Sequence, residues 1–255
     1  MQQEQEHQHV ISYYNEHVQH KLNDFIEVNP RIESAWKTLL EFAPQSPLSI
    51  LEIGCGIGSV SHRMNNQWPA AKVKGVDIST LSIEIANKLF SNSQTTFLPG
   101  ILKQGTFTEQ FDLIVLMDVY EHISTHDRAE VHASLKKILK NKGRIFLSVP
   151  TPHYLKWLEK NKPENIQPVD EYISFNVIGQ LAAATDTEVL SYQVKNIWSM
   201  GDYAHIVLEK NDDFEASFFS KKAVSFKQRG FRGLNKIQYK IGSILRRSLV
   251  KKKLK

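Results

Sequence analysis

The stretch Leu48-Ser49-Ile50-Leu51-Glu52-Ile53-Gly54-Cys55-Gly56-Ile57-Gly58 constrains the fold of this chain more than any other. Its first half, a short apolar run flanked by Pro47 and Gly54, predicts a strand buried on both faces, as in a parallel sheet. Its second half places three glycines at alternate positions, which predicts a tight turn into a helix, since glycine has no Cβ and tolerates positive φ. Such a turn lets main-chain amides approach a nucleoside, although a glycine-rich turn alone is a weak signal. Asp77 strengthens it. It stands 23 residues after Gly54, at the carboxyl end of the second predicted strand, where an acid can accept hydrogen bonds from both ribose hydroxyls. The alternative is a plain tight turn, with Asp77 capping the helix that starts near Thr80.

The rest of the chain keeps the same rhythm. Apolar residues at helical spacing from about Val10 to Phe42, cut by Pro30, predict two leading helices. After the glycine turn come a helix from Ser59 to about Trp68, a strand Val73–Ile78, a helix Thr80–Phe90 and a strand Thr95–Pro99. A strand Phe111–Asp118, a helix from about His126 to Leu139 and a strand beginning after Gly143 follow. Beyond Pro150 an insert containing Pro152, Pro163 and Pro168 precedes a helix near Phe175–Ala184 and a closing strand pair, Glu188–Val194 and Tyr203–Glu209. The alternation predicts an α/β fold with a Rossmann-like, doubly wound, mostly parallel seven-stranded sheet, an antiparallel last strand and leading helices.

Composition narrows the setting. A single cysteine, Cys55, excludes an intramolecular disulfide, and the ten histidines show no zinc-like spacing, so a reducing cytoplasmic location and no metal are expected. No stretch approaches the ~20 apolar residues of a membrane span, and the polar start resembles no signal peptide. Charge is split: residues 216–255 hold 13 Lys and Arg and no Asp or Glu, whereas the first 215 residues hold 19 basic and 27 acidic side chains. Within that tail, Phe231, Leu234, Ile237, Ile241, Ile244, Leu245 and Leu249 recur at helical spacing among the basic residues, which predicts a basic amphipathic helix. Such a helix suits an anionic membrane surface, which would put the protein peripherally at the inner face of the membrane. A dimerisation helix or a solvated tail fits equally, and the acidic body makes nucleic acid the weaker partner. The expected division is 1–44 for the N-terminal helical segment, 45–211 for the catalytic domain and 212–255 for the basic tail.

In order, LEIGCGIG, VKGVDIS, FDLIVLMDVYEHI and LKNKGRIFLSVP resemble the class I S-adenosylmethionine-dependent methyltransferases over roughly residues 45–150. The resemblance implies S-adenosylmethionine as cofactor. It also implies that Glu52 supports the glycine loop, that Gly54, Cys55, Gly56 and Gly58 face the methionine part, and that Asp77 and the adjoining Ile78 hold the ribose side. Asp118 and Val119 would help hold the methionine end. Many relatives carry an acid after the third strand to read adenine. Here that segment is Leu98-Pro99-Gly100-Ile101-Leu102, so Ile101 and Leu102 would give apolar contact instead.

The acceptor belongs beyond the carboxyl ends of the strands. Asp118-Val119-Tyr120-Glu121-His122 looks like the D-V-x-E-H motif of the small-molecule branch that includes the ubiquinone-pathway O-methyltransferases. His122 could act as general base, its ordinary pKa near 6.5 suiting neutral pH, or could simply order the loop. His153 is a second catalytic candidate, and Tyr154, Asp170, Glu171, Asp202 and His205 are acceptor-site candidates, with a solvated proline-rich lid as the bland alternative for the insert. Trp198, beside Gly201, suits a ring-binding loop or the core equally. The expected activity is methylation of a small molecule, glycan or lipid-linked acceptor, most simply on oxygen. RNA or protein methylation, a nucleotide-binding oxidoreductase and a non-catalytic scaffold subunit are the alternatives.

Overall fold

The computed structural model describes residues 12–27, 29–103 and 105–212. The chain divides into a unit of residues 1–212 and a unit of residues 213–255; the predicted basic helix falls in the second, outside the described residues. The first unit begins with a helical turn at 12–16. The helices α1 (Val18–Glu27) and α2 (Pro30–Phe42) then lead into an alternating order of strands and helices. This comprises β1 (Ser49–Ile53), α3 (Ser59–Gln67), β2 (Lys72–Asp77), α4 (Thr80–Phe90), β3 (Thr95–Pro99) and β4 (Phe111–Met117). It continues through α5 (Arg128–Ile138), β5 (Leu139–Pro150), α6 (Pro152–Asn161), α7 (Phe175–Thr185), β6 (Glu188–Lys195) and β7 (Tyr203–Glu209).

The seven strands form one sheet in the order β3-β2-β1-β4-β5-β7-β6. Pairing is parallel from β3 to β5, and β7 runs antiparallel between β5 and β6. The period of two along a strand divides its side chains between two apolar layers. On β4, Leu113 and Val115 pack with Trp36 and Leu39 of α2 and Met64 of α3. Ile114 and Leu116 pack on the opposite face with Leu135 of α5 and Ile178 and Leu181 of α7. Because β1 lies between β2 and β4, chain order reverses there, and a doubly wound sheet has its ligand cleft at such a point, beyond the carboxyl ends of the strands.

Two boundaries differ from expectation. Strand β5 starts at Leu139, ahead of Gly143, and its register against β4 shifts between the Phe111–Leu139 and Leu113–Arg144 pairs. The insert after Pro150 also holds a ten-residue helix, α6, that its prolines concealed. Thr151 accepts from the Tyr154 amide as N-cap, and Pro152 occupies the first helical position, where its missing N–H costs nothing.

Candidate active site

One end of the cleft is built from backbone. The amides of Gly54 and Cys55 donate to the Val76 carbonyl at 2.7 and 3.0 Å, which ties the glycine turn to the end of β2. Gly54 has φ +70°, and a Cβ there would run into the Val119 side chain. Gly56, at φ +53°, donates its amide to Asp77 Oδ2 at 2.7 Å. Asp77 Oδ1 accepts from the Ser79 amide at 2.9 Å, while Ser79 itself caps α4 by accepting from the Ser82 amide at 3.1 Å. The cap is therefore Ser79 and not Asp77. A carboxylate offers about four lone-pair sites, so Asp77 retains acceptor capacity beyond these two amides. Behind the turn, buried Glu52 accepts from the Ser61 hydroxyl on α3, and burial, partly opposed by that bond, pushes its pKa up to about 8.

The other end is built from charged side chains. Asp118 follows β4 at φ +55° and forms an ion pair with Arg31 of α2, Oδ2 to Nε 3.0 Å. Arg31 also donates from Nη1 to the Tyr203 hydroxyl at 3.2 Å. The single 3-10 turn Tyr120–His122 places Glu121 and His122 beside them. His122 Nδ1 lies 2.8 Å from the Val169 carbonyl and 3.0 Å from Asp170 Oδ1, and its Nε2 lies 3.9 Å from Glu121 Oε1. Burial opposes charge on this ring, but Glu121, Asp170 and the Val169 carbonyl together raise its pKa to about 9. Burial raises the Glu121 carboxyl, opposed by His122 and reinforced by Asp118. Glu121 Oε2 and Asp118 Oδ1 are buried with no hydrogen-bond partner among the described residues.

Comparison with known proteins gives the family. Residues 14–192 match a family described as a methyltransferase domain. The chain belongs to the class I S-adenosylmethionine-dependent methyltransferases. It is 28% identical over 93 residues to malonyl-[acyl-carrier protein] O-methyltransferase of Priestia megaterium, covering 36% of this chain and 32% of that protein. It is 28% identical over 123 residues to the mitochondrial ubiquinone biosynthesis O-methyltransferase of Candida albicans, covering 46% and 37%. The matched stretch thus spans about a third of the length of these curated relatives. Among solved structures, an S-adenosylmethionine-dependent methyltransferase from Mesorhizobium loti superposes with TM-score 0.58 at 14% identity, over 69% of this chain and 97% of the other. Magnesium protoporphyrin IX methyltransferase of Synechocystis, with bound S-adenosylhomocysteine, gives 0.55 at 18% identity, over 71% and 82%.

The residues of this methyltransferase suit its cofactor. Gly54 and Gly56 hold the positive φ of the turn, Asp77 has lone pairs for ribose hydroxyls, and the unpartnered oxygens of Asp118 and Glu121 suit a cationic group at the other end. When bound, S-adenosylmethionine supplies a methyl group on an electrophilic sulfonium. Cys55 serves as packing: its sulfur lies against Gly75, and burial raises its thiol pKa well above the ordinary value. Gly58, at φ +81°, packs on the Phe97 ring. Ile78 and Ile101 are half-buried, whereas Leu102 is buried in the core and turned from the role expected of it at adenine.

Among the expected acceptor residues, Asp170 meets His122 and Tyr154 packs on Tyr203, ring centres 6.2 Å apart, while His153 is exposed on the first turn of α6. Glu171 is held by its own neighbours: its amide donates to the Glu121 carbonyl at 2.9 Å and its carboxylate lies 4.0 Å from Arg128. Two expectations need correcting. Asp202 is fully buried and accepts from the amides of Ile197, Trp198 and Ser199, so its carboxylate is spent shaping the β6–β7 turn. His205 is fully buried on β7, on the sheet face toward α2, with Nδ1 2.9 Å from the Thr38 hydroxyl; burial and Lys195 lower its pKa to about 4. Trp198 is half exposed and meets Tyr203 edge-on, ring centres 5.9 Å apart.

Sequence reading missed the leading helices' share of the site. Lys21 Nζ lies 3.8 Å from Asp77 Oδ2, and its Cδ would lie 3.2 Å from a Cβ on Gly56. The Tyr14 hydroxyl donates to Gln167 at 2.9 Å, and its ring meets His122 edge-on at 6.3 Å. For Arg31 a signal existed: it directly follows Pro30 at a helix start, which fixes its direction.

Proposed function

We propose that this methyltransferase transfers the methyl group to a hydroxyl of a small molecule, glycan or lipid-linked acceptor, with His122 as the base. The observation that carries this reading is the His122 ring, anchored through Nδ1 while Nε2 stands beside Glu121. Methyl transfer is an in-line displacement, for which the protein aligns the partners and removes a proton from a neutral acceptor. An oxygen about 2.8 Å from both Nε2 and Glu121 Oε1 closes a triangle over their 3.9 Å separation, so one hydroxyl can reach both groups. Glu121 stands beside Nε2 and Asp170 on the Nδ1 side of the same ring, and these acidic groups favour a neutral hydroxyl over a carboxylate acceptor such as the malonyl-[acyl-carrier protein] of one relative's name.

The test has two stages. Calorimetry with S-adenosylhomocysteine should give binding that Asp77→Ala weakens. Radiolabelled S-adenosylmethionine should then label a phenol or catechol from a panel that also holds malonyl-[acyl-carrier protein] and amines. Label appearing only on the carboxylate or amine arm would overturn the hydroxyl reading.

We further propose a cytoplasmic protein attached to anionic lipid through residues 216–255. No helix among the described residues is long and apolar enough to cross a membrane. Each of the 13 basic residues in that segment would contribute about 1 kcal/mol near such a surface, screened by salt over ~8 Å. Full-length protein should float with anionic liposomes and a form ending near Glu215 should not; equal behaviour would refute this.

A further inference from the structure

His122 is held by a segment that sequence reading had assigned to the acceptor. Val169 and Asp170 lie between α6 and α7, 47 residues from His122 in the case of the Val169 carbonyl. Two acceptors converge on the same nitrogen: the Val169 carbonyl at 2.8 Å and Asp170 Oδ1 at 3.0 Å. A carbonyl can only accept, so Nδ1 carries a proton, and Nε2 is the atom left for chemistry. The second carboxylate oxygen, Asp170 Oδ2, accepts from the Gln167 amide at 2.8 Å, and Gln167 accepts in turn from the Tyr14 hydroxyl. Asp170 is thus fixed by its own turn before it meets the ring.

We propose that Asp170 is the positioning residue of His122: it holds the ring in place and sets the charge the ring carries, so that the acceptor segment and the base act as one unit. This rests on the reading of His122 as base. The division of labour is specific. The Val169 carbonyl fixes which nitrogen bears the proton, and a neutral carbonyl does that without Asp170. The carboxylate adds stabilisation of the imidazolium that forms when the acceptor O–H bond breaks, its proton passing to Nε2 as the oxygen takes the methyl group and the methyl–sulfur bond breaks to leave a neutral thioether. The other groups facing the ring are Glu121 on the same turn, Asp118 at the end of β4, its partner Arg31 from α2, and Tyr14 from the leading helical turn. Asp170 is the one of these carboxylates that belongs to the insert after β5. A raised proton affinity makes Nε2 a stronger base but leaves fewer rings unprotonated at neutral pH, so methyl transfer rises with pH through the His122 midpoint.

The experiment compares wild type, Asp170→Asn and Asp170→Glu as full-length protein. Asparagine keeps the size and can still accept from Gln167 through its carbonyl, so it removes the charge and spares the turn. Ring-nitrogen NMR of histidine-labelled protein, with His122 assigned by His122→Gln, should show the protonation midpoint of His122 falling by at least one pH unit in Asp170→Asn and recovering in Asp170→Glu. The Nδ1–H tautomer should persist above that midpoint, and S-adenosylhomocysteine affinity should be unchanged, which shows that the variants are folded. The rise of methyl transfer with pH, measured on the hydroxyl acceptor that labels best in the panel, should move down by the same amount. An unmoved NMR midpoint would overturn the proposal directly. A midpoint that moves while the rate profile stays would also overturn it, and would leave the methyltransferase reading intact.

Discussion

The two ends of the cleft are made of different materials. At the glycine-turn end the groups are amides and one carboxylate, Gly54, Gly56 and Asp77, bonded to Val76 and to one another, all within 24 residues of chain and placed by adjacent parallel strands. At the His122 end they are charged and aromatic side chains, Tyr14, Arg31, Asp118, Glu121, His122, Asp170 and Tyr203, gathered from widely separated parts of the chain. Backbone groups are fixed once the turn forms, so the first end depends on space and on positive φ. Buried charges hold only while each has its counterpart, so the second end depends on balance. The lesson is that one end is broken by bulk and the other by altering charge.

The sharpest separation concerns rate. His122→Ala should lower methyl transfer by roughly 10² to 10⁴, with little change in S-adenosylhomocysteine affinity by calorimetry. A parallel loss of affinity would merge the two ends into one site. Next in size is a stability effect with two limbs, because two buried histidines are shifted in opposite directions. His122 is raised to about 9, so its contribution, up to about 3 kcal/mol, is complete below the unfolded value near 6.5 and is lost as pH rises through 9. His205 is lowered to about 4, so its contribution is present above about 6.5 and is lost as pH falls toward 4. Denaturation across pH should therefore show both limbs, with His122→Gln flattening only the alkaline one.

Arg31→Met should cost about 2 to 3 kcal/mol in denaturant unfolding, because it strands the buried Asp118 carboxylate; part of the full penalty is screened, since Arg31 is about a quarter exposed. Asp77→Ala should weaken S-adenosylhomocysteine binding by about 1.5 to 3 kcal/mol while leaving the pH dependence of His122 unchanged, a check that the ends are independent. The smallest effect lies outside the cleft. Thr38→Val removes the hydroxyl beside His205 and should lower stability by about 1 kcal/mol without altering the rate. A change in rate would return His205 to the active site.

The same contrast explains what could be read in advance. The alternation of strands and helices and the glycine turn with Asp77 were legible because their signals are local: periods of two and 3.6, and residue types that a tight turn demands. The helix α6 was missed because Pro152 was read as a break, where Thr151 before it made it a helix start. His205 was misassigned because its place on a strand between apolar neighbours does not say which face it takes. The strand period puts His205 on the face of Val207, toward Thr38, 167 residues earlier in the chain.

The sequence by itself determined the doubly wound sheet and the glycine turn beside Asp77, since both follow from short-range pattern and from residue types that a tight turn demands. Only the tertiary structure decided the charged cluster around His122. Arg31 meets Tyr203 across 172 residues and Tyr14 meets Gln167 across 153, and no local rule relates such positions. Whether a buried histidine is charged depends on which carboxylates the fold brings beside it. His122 met Glu121 and Asp170, and His205 met a threonine hydroxyl and an apolar layer.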